Sequence, residues 1–115
     1  MGQTLKELTP FVKEMLFDFR DSSELDITDQ KELNNIFQKG NYDYCINCAA
    51  YTNVEQAEKT PEPAFAVNAE GAKNLALLCK AHQVTLIHIS TDYVFDGTKE
   101  GPYTVGDATS PINEY

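Results

Sequence analysis

The chain has 115 residues, 42% of them hydrophobic and 23% charged, which is typical of one compact domain with a single core. Its 18 acidic and 9 basic side chains give a formal charge of −9, which disfavours nucleic acid and anionic lipid as partners. No apolar run reaches the roughly eighteen residues of a membrane span, and the N-terminus lacks the pattern of a secretory signal, so we expect a cytoplasmic protein.

The first predicted element is a helix, because Leu5, Leu8 and Phe11 recur at helical spacing. The apolar segment 15–19 then predicts a short strand, and the polar segment 21–23 predicts a connection. A brief extended piece, 25–27, follows this connection.

The next predicted helix has Thr28 as its N-cap, carries Asp29 in its first turn and ends at Gly40. Its apolar residues share one face: Leu33, Ile36 and Phe37. The run 44–50 follows as a strand that is apolar on both faces. Such a strand is typical of a parallel sheet that helices cover on each side.

A long helix is predicted from Thr60, as the N-cap, and Pro61, at the first helical position, to about His82. The β-branched and apolar run 84–89 is the last predicted strand. After Ser90, glycine and proline residues interrupt the chain repeatedly, which predicts a stretch rich in loops.

This alternation of helices and strands predicts an α/β protein with a Rossmann-like, three-layer parallel sheet and helices on both faces. Ligands of such sheets bind beyond the carboxyl ends of the strands. Three groups of residues lie at those ends: 26–27, 49–52 and 90–93. Ordinary packing, loop caps and turns explain the same residues about equally well, so the pattern alone leaves both interpretations open.

Cys45 and Cys48 form a C-x-x-C pair within the predicted strand 44–50. A second thiolate pair or nearby histidines would be needed to complete a tetrahedral zinc site, and neither is present in the sequence around them. We interpret both cysteines as small apolar residues of a buried strand in a chain whose thiols are reduced. No other residues have the spacing of a metal site.

Five segments, in this order and spacing, resemble the dTDP-4-dehydrorhamnose reductase family, a branch of the extended short-chain dehydrogenases/reductases. The segment 89–97, with Thr91-Asp92-Tyr93-Val94-Phe95, resembles the family's active-site strand and loop, and 107–115 resembles the approach to its catalytic tyrosine. The other three are Leu25–Asp29, Asn47–Glu58 and Val67–Leu75, which resemble the adenine-binding piece, the cofactor edge and the central helix.

The resemblance implies reduction of dTDP-4-dehydrorhamnose, a nucleotide-linked 4-keto-6-deoxy sugar, to dTDP-L-rhamnose with NADPH or NADH. It assigns catalysis to Thr91 and Tyr115, and substrate binding to Thr91, Asp92 and Tyr93. The implied cofactor-binding residues are Gly2, Asp26, Ile27, Ala49, Ala50, Tyr51, Thr52 and Tyr115. The segment 18–20 offers both an acid that suits a free ribose and an arginine that suits a 2′-phosphate, so the choice between the two cofactors stays open.

Set against the family pattern, residues 1–115 are expected to form part of an NAD(P)-binding Rossmann domain. The first strand, most of the glycine-rich turn and the substrate domain are expected to be absent, with Gly2 matching the last glycine of that turn. The lysine that lowers the pKa of the catalytic tyrosine would fall four positions after Tyr115, beyond the sequence. We therefore expect little or no turnover by residues 1–115 alone, and unpaired sheet edges that favour self-association, for example as a homodimer.

The alternative function is a non-catalytic regulatory or binding subunit that keeps the reductase fold. Both Thr91 and Tyr115 are present, and packing alone requires a hydroxyl at neither position. That favours the enzyme over the subunit.

Overall fold

The computed structural model describes all residues from 1 to 115. The helices are α1 (Gly2–Leu8), α2 (Gln30–Lys39), α3 (Val54–Lys59), α4 (Glu62–Phe65) and α5 (Ala72–His82), and the strands are β1 (Tyr44–Asn47) and β2 (Thr85–His88). Two short 3-10 turns, Thr9–Phe11 and Asp92–Val94, and a π-helical turn, Ala66–Gly71, complete the regular structure. None of the helices is both long enough and apolar enough to span a bilayer.

The two strands form a parallel sheet in which Tyr44 lies opposite Thr85 and Asn47 lies opposite His88. The predicted α/β class with a Rossmann-like parallel sheet is confirmed. Both strands lie within the predicted runs 44–50 and 84–89 and are shorter than them. The residues after β1 and β2 are therefore free to form loops at the carboxyl end of the sheet.

The predicted strand 15–19 is wrong, since these residues form neither strand nor helix. A strand needs a neighbour that accepts and donates its backbone hydrogen bonds, and the sheet pairs only β1 with β2. Leu16 is fully exposed. The segment is held instead through Asp18, whose carboxylate accepts hydrogen bonds from Arg20 at 2.8 and 3.0 Å and from the Tyr42 hydroxyl at 2.7 Å.

The core lies between α2, α5 and one face of the sheet. Its buried members are Ile27, Leu33, Phe37, Leu75, Cys79 and Val84, and Cys45 and Leu86 pack against them from the strands. Because side chains alternate along a strand, Ile46 and Ile87 point to the opposite face. They are 42% and 43% exposed. Helices α2 and α5 therefore pack on the face of the sheet to which Cys45 and Leu86 point.

Helix boundaries differ from the predicted ones at two positions. Asp29, and not Thr28, caps α2, because its carboxylate accepts hydrogen bonds from the backbone N–H groups of Lys31 (2.9 Å) and Glu32 (3.0 Å). Thr60 ends helix α3, which was not predicted, and its N–H donates to the Gln56 carbonyl. The N-cap residue of α4 is therefore Pro61 and not Thr60. The predicted end of the long helix at His82 is confirmed.

The cysteines carry no disulfide. Cys79 is almost completely buried, and burial raises the pKa of the Cys45 thiol to about 12. A thiol in that state is a poor nucleophile at neutral pH. The interpretation of Cys45 as a packing residue agrees with this environment.

Candidate functional site

The loop after β1 is fixed by a buried asparagine at the end of the strand. Asn47 is 4% exposed, and its Oδ1 accepts a hydrogen bond from the N–H of Ala49 at 3.0 Å. Its Nδ2 lies 3.0 Å from Nδ1 of His88, the residue opposite it on β2. Ala49 and Ala50 are exposed beyond this anchor, so no bulky side chain covers the backbone there.

Asn68, in the π-helical turn, holds the same loop further along. Its Oδ1 accepts a hydrogen bond from the N–H of Tyr51 at 2.9 Å, and its Nδ2 donates to the Tyr51 carbonyl at 3.1 Å. The Nδ2 also lies 3.5 Å from the carbonyl oxygen of Tyr115. A single amide therefore joins the loop after β1 to the segment that carries Tyr115.

The residues after β2 form a tight turn. The Thr91 Oγ1 accepts a hydrogen bond from the N–H of Tyr93 at 3.2 Å, which caps the 3-10 turn Asp92–Val94. Its hydroxyl makes only a long contact of 3.4 Å with the Asp92 carboxylate. The Tyr93 ring meets the Tyr115 ring edge-on, with centroids 5.8 Å apart. Tyr93 thus links the turn to Tyr115.

The long loop that follows folds back and delivers Tyr115 to this place. Phe95 and Tyr103 stack with their ring centroids 4.1 Å apart, which closes the loop at its base. The N–H of Ser110 donates to the Val94 carbonyl at 2.9 Å. Near the end of the chain, the N–H of Glu114 donates to the Glu58 carboxylate at 2.9 Å.

Ile27 lies against helix α5, and Asp26 immediately precedes it. The Asp26 carboxylate accepts hydrogen bonds from the backbone and the hydroxyl of Thr28, and these bonds hold its pKa below the ordinary value. The Ile27 carbonyl accepts a hydrogen bond from Nδ2 of the buried Asn74 at 3.3 Å. Gln30 in turn donates to Oδ1 of Asn74 at 2.8 Å, so both ends of this buried amide are paired.

Gly2 and the segment 18–20 have different relations to the sheet. A Cβ on Gly2 would lie 3.7 Å from the Cβ of Cys48, which places Gly2 beside the carboxyl end of β1. Asp18, by contrast, is bound to Tyr42, which precedes the amino end of β1. Asp18 and Arg20 form an ion pair near the amino end of β1. Ala49 and Tyr51 follow the other end of this strand.

The structure thus links Tyr51 to Tyr115 through Asn68 and packs Tyr93 against Tyr115, with Thr91 in the adjoining turn. It places Asp26 and Ile27 separately, with the Ile27 backbone bound to Asn74 of α5. The sequence analysis assigned no role to Asn68, which binds Tyr51 and Tyr115, or to Asn74, which binds Ile27. Their signal was present, because both interrupt the apolar pattern of a predicted helix, and a polar side chain on a buried helix face needs partners.

A family model described as the RmlD substrate binding domain matches residues 1–115. The chain belongs to this family. The predicted resemblance to dTDP-4-dehydrorhamnose reductases is thereby confirmed. A dTDP-4-dehydrorhamnose reductase from Mycolicibacterium smegmatis is 52% identical over 95 residues, which cover 82% of this chain and 28% of the relative.

Solved structures of dTDP-4-dehydrorhamnose reductases superpose closely on this RmlD-family chain. One from Clostridium acetobutylicum has a TM-score of 0.90 at 36% identity and covers 96% of this chain and 39% of its own. One from Bacillus anthracis, in complex with NADP, has a TM-score of 0.85 at 37% identity and covers 96% of this chain and 40% of its own. The chain spans well under half the length of these relatives.

Proposed function

We propose that the protein reduces dTDP-4-dehydrorhamnose to dTDP-L-rhamnose with NADPH or NADH, and that Thr91 and Tyr115 are its catalytic residues. The observation that carries the proposal is the Asn68 amide, which ties Tyr51 and Tyr115 together beside the Thr91–Tyr93 turn. Two segments that the family resemblance assigns to cofactor and catalysis thereby meet at the carboxyl end of one sheet, where Rossmann-like folds bind ligands.

We assign residues 1–115 to the NAD(P)-binding part of the enzyme, and the residues at the end of β1 fit such a cofactor. Ala49 and Ala50 are small and exposed, and the Tyr51 backbone beyond them is held at both its N–H and its carbonyl. A flat ring could therefore approach the backbone closely. Gly2 adds a residue without a side chain beside the same strand end. Thr52, Asp26 and Ile27 complete the proposed contacts.

The nicotinamide, when bound, supplies hydride to the ketone carbon. Two residues of this chain, Thr91 and Tyr115, act on the ketone oxygen. The Thr91 Oγ1 accepts a hydrogen bond from the Tyr93 N–H, and its hydroxyl proton, which otherwise makes only the long 3.4 Å contact with the Asp92 carboxylate, donates to the ketone oxygen when the substrate is bound. Tyr115 then gives its phenolic proton to the alkoxide as it forms. Asp92 and Tyr93, exposed on the same turn, contact the sugar of the nucleotide-linked substrate.

The test replaces Tyr115 by phenylalanine in the natural polypeptide that contains these residues. We expect reduction of dTDP-4-dehydrorhamnose to fall by about 10²–10⁴-fold, the usual contribution of a general acid. Cofactor affinity, followed by nicotinamide fluorescence, should stay nearly unchanged. Tyr44→Phe is the matched control, since Tyr44 is 60% exposed and lies outside the site. An unchanged rate for Tyr115→Phe would contradict the assignment and support a non-catalytic subunit.

A further inference from the structure

The side-chain amide of Asn47 is held in one orientation. Its Oδ1 accepts a hydrogen bond from the Ala49 N–H at 3.0 Å, and a backbone N–H can only donate. The amide oxygen must therefore face Ala49, which leaves the Nδ2 group 3.0 Å from Nδ1 of His88. Because Nδ2 is also only a donor, Nδ1 of His88 has to accept. The imidazole ring is therefore neutral and carries its proton on Nε2.

Protonation of His88 is incompatible with this set of hydrogen bonds. The His88 ring is exposed, so a proton can reach it. A protonated imidazole carries an N–H on both ring nitrogens, so two donors, Nδ1–H of His88 and Nδ2 of Asn47, would face each other. Turning the amide over would restore that bond, but it would then point Nδ2 at the Ala49 N–H. Asn47 is only 4% exposed, and a buried polar group left unpaired is costly.

The backbone on either side of this link does not depend on the His88 proton. The Asn47 carbonyl accepts a hydrogen bond from the Ile89 N–H at 3.3 Å, so the two strands stay paired. Tyr51 is held at its N–H and its carbonyl by a different amide. Loss of the bond between Asn47 and Ala49 would therefore free only the short span between two fixed points. That span contains Ala49 and Ala50.

The other titratable groups near β2 do not offset a charge on His88. The elements that pack against β2 are β1 and α5. Their titratable residues, none of which is hydrogen-bonded or ion-paired to His88, are Tyr44 and Cys45 on β1 and Lys73, Cys79, Lys80 and His82 on α5. Burial raises the pKa of both thiols, that of Cys45 to about 12, so they stay neutral. Lys73 is paired with Glu70, and the last turn of α5 leads into the start of β2, at the end remote from His88.

We propose that His88 is a positioning residue: its neutral ring orients Asn47, Asn47 fixes the loop after β1, and protonation of His88 releases this loop and weakens cofactor binding. The inference rests on the proposed function, which assigns Ala49 and Ala50 to NAD(P)H. His88 acts through Asn47 and not on the reacting atoms. Since histidine is the side chain whose charge changes between pH 5 and 8, the affinity for the cofactor responds to pH in this range.

NMR of the natural polypeptide that contains these residues tests the link between His88 and the loop, without any cofactor. Labelling histidine with ¹⁵N, together with the Cys48–Ala49 peptide, allows the His88 ring and the Ala49 amide to be followed from pH 8 to pH 5. We expect neutral His88 to carry its proton on Nε2, and the Ala49 amide signal to shift with the same midpoint as the ring. A neutral ring protonated on Nδ1, or an Ala49 amide that does not follow the titration of His88, would overturn the proposal.

Calorimetric titration with NADP⁺ over the same pH range tests the consequence for the cofactor. The affinity should fall by about tenfold as His88 gains its proton, which corresponds to one hydrogen bond. His88→Gln supplies an acceptor oxygen that does not titrate, so it should keep the affinity at pH 8 and lose this fall. His88→Leu supplies no acceptor and should bind about tenfold more weakly already at pH 8. His82→Gln is the matched control: it removes the other histidine of the chain, at the end of α5, and should keep the natural pH dependence.

Asn47→Asp tests the same link from the other side. A carboxylate accepts from the Ala49 N–H and from Nδ1–H of a protonated His88 at once, so the affinity of this variant should no longer fall in acid. A fall that is the same in the natural protein, in His88→Gln and in Asn47→Asp would overturn the proposal, and comparison among them cancels any titration of the cofactor phosphate. A protein that binds no nicotinamide cofactor at any pH would refute the proposed function instead, while an Ala49 amide that follows His88 would still support the control of Asn47 by His88.

Discussion

Replacing Gly71 by alanine should destabilise the protein, because Gly71 lies against Ile27 without room for a side chain. An added Cβ would lie 2.8 Å from both Cγ1 and Cδ1 of Ile27 and 3.4 Å from the carbonyl oxygen of Ala66. Carbon atoms in contact normally lie about 3.5–4.0 Å apart. Ile27 is only 8% exposed and belongs to the core, so it cannot simply move into solvent.

Two opposing effects set the size of the change. Alanine is favoured over glycine within a helix by about 1 kcal/mol. Overpacking of a core contact costs about 1–3 kcal/mol. We therefore expect a net loss of up to about 2 kcal/mol of unfolding free energy for Gly71→Ala, measured by urea denaturation.

A series at Ile27 separates the two effects. Ile27→Val removes Cδ1, and Ile27→Ala removes both clashing atoms. The loss caused by Gly71→Ala should shrink in the valine background and become a gain of up to about 1 kcal/mol in the alanine background. Gly2→Ala serves as control, since its Cβ would make an ordinary contact at 3.7 Å and should act alike in all three backgrounds. A loss at Gly71 that is independent of residue 27 would refute this reasoning.

Three further predictions concern the helix cap, the thiols and the response to acid. Asp29→Ala should destabilise the protein by about 1 kcal/mol in thermal unfolding, because two amides lose their acceptor, while Thr28→Ala should have a smaller effect; the reverse order would restore Thr28 as the cap. Cys45 and Cys48 are both half-buried, but the raised pKa of Cys45, about 12, should make it react with iodoacetamide more slowly than Cys48, and mass spectrometry showing Cys45 labelled first would contradict this. Hydrogen bonds, first from Arg20 and then from Tyr42, lower the pKa of Asp18 in the folded protein. The ionised carboxylate therefore stabilises the fold above the ordinary carboxylate pKa, and this stabilisation is lost as the pH falls through the lower folded value. Asp18→Asn should flatten the loss of stability below about pH 4, and an unchanged dependence of stability on acid pH would exclude this role.

Local patterns predicted the helices, whose backbone hydrogen bonds lie within one segment, and the two runs of residues that contain the strands. The end of α5 at His82 is one example, since Gln83 adopts the left-handed conformation that ends a helix. The runs around β1 and β2 were found because β-branched and apolar residues cluster there. The cap at Asp29 differed from the prediction by a single residue, because Thr28 and Asp29 both carry an oxygen that can cap and only the backbone geometry selects between them.

Residues that act through distant partners could not be assigned in the same way. Asn68 reaches Tyr51, 17 residues away, and its role as a link to Tyr115 depends on how the loop after β2 folds back. Asn74 is similar, since its partner Ile27 lies 47 residues earlier. The sequence signals that such an asparagine is unusual on a buried helix face, but it does not say which backbone groups the amide will meet.

The sequence by itself determined the α/β class, the parallel character of the sheet and the membership of the RmlD family, because hydrophobic periodicity and short motifs are local properties of the chain. Only the tertiary structure decided that 15–19 is not part of the sheet, that Asn68 binds both Tyr51 and Tyr115, and that the Tyr93 ring packs on Tyr115. The physical reason is that a β-strand and a polar contact are both completed by groups remote in sequence. Whether a partner is present at hydrogen-bonding distance is a property of the fold and not of the segment.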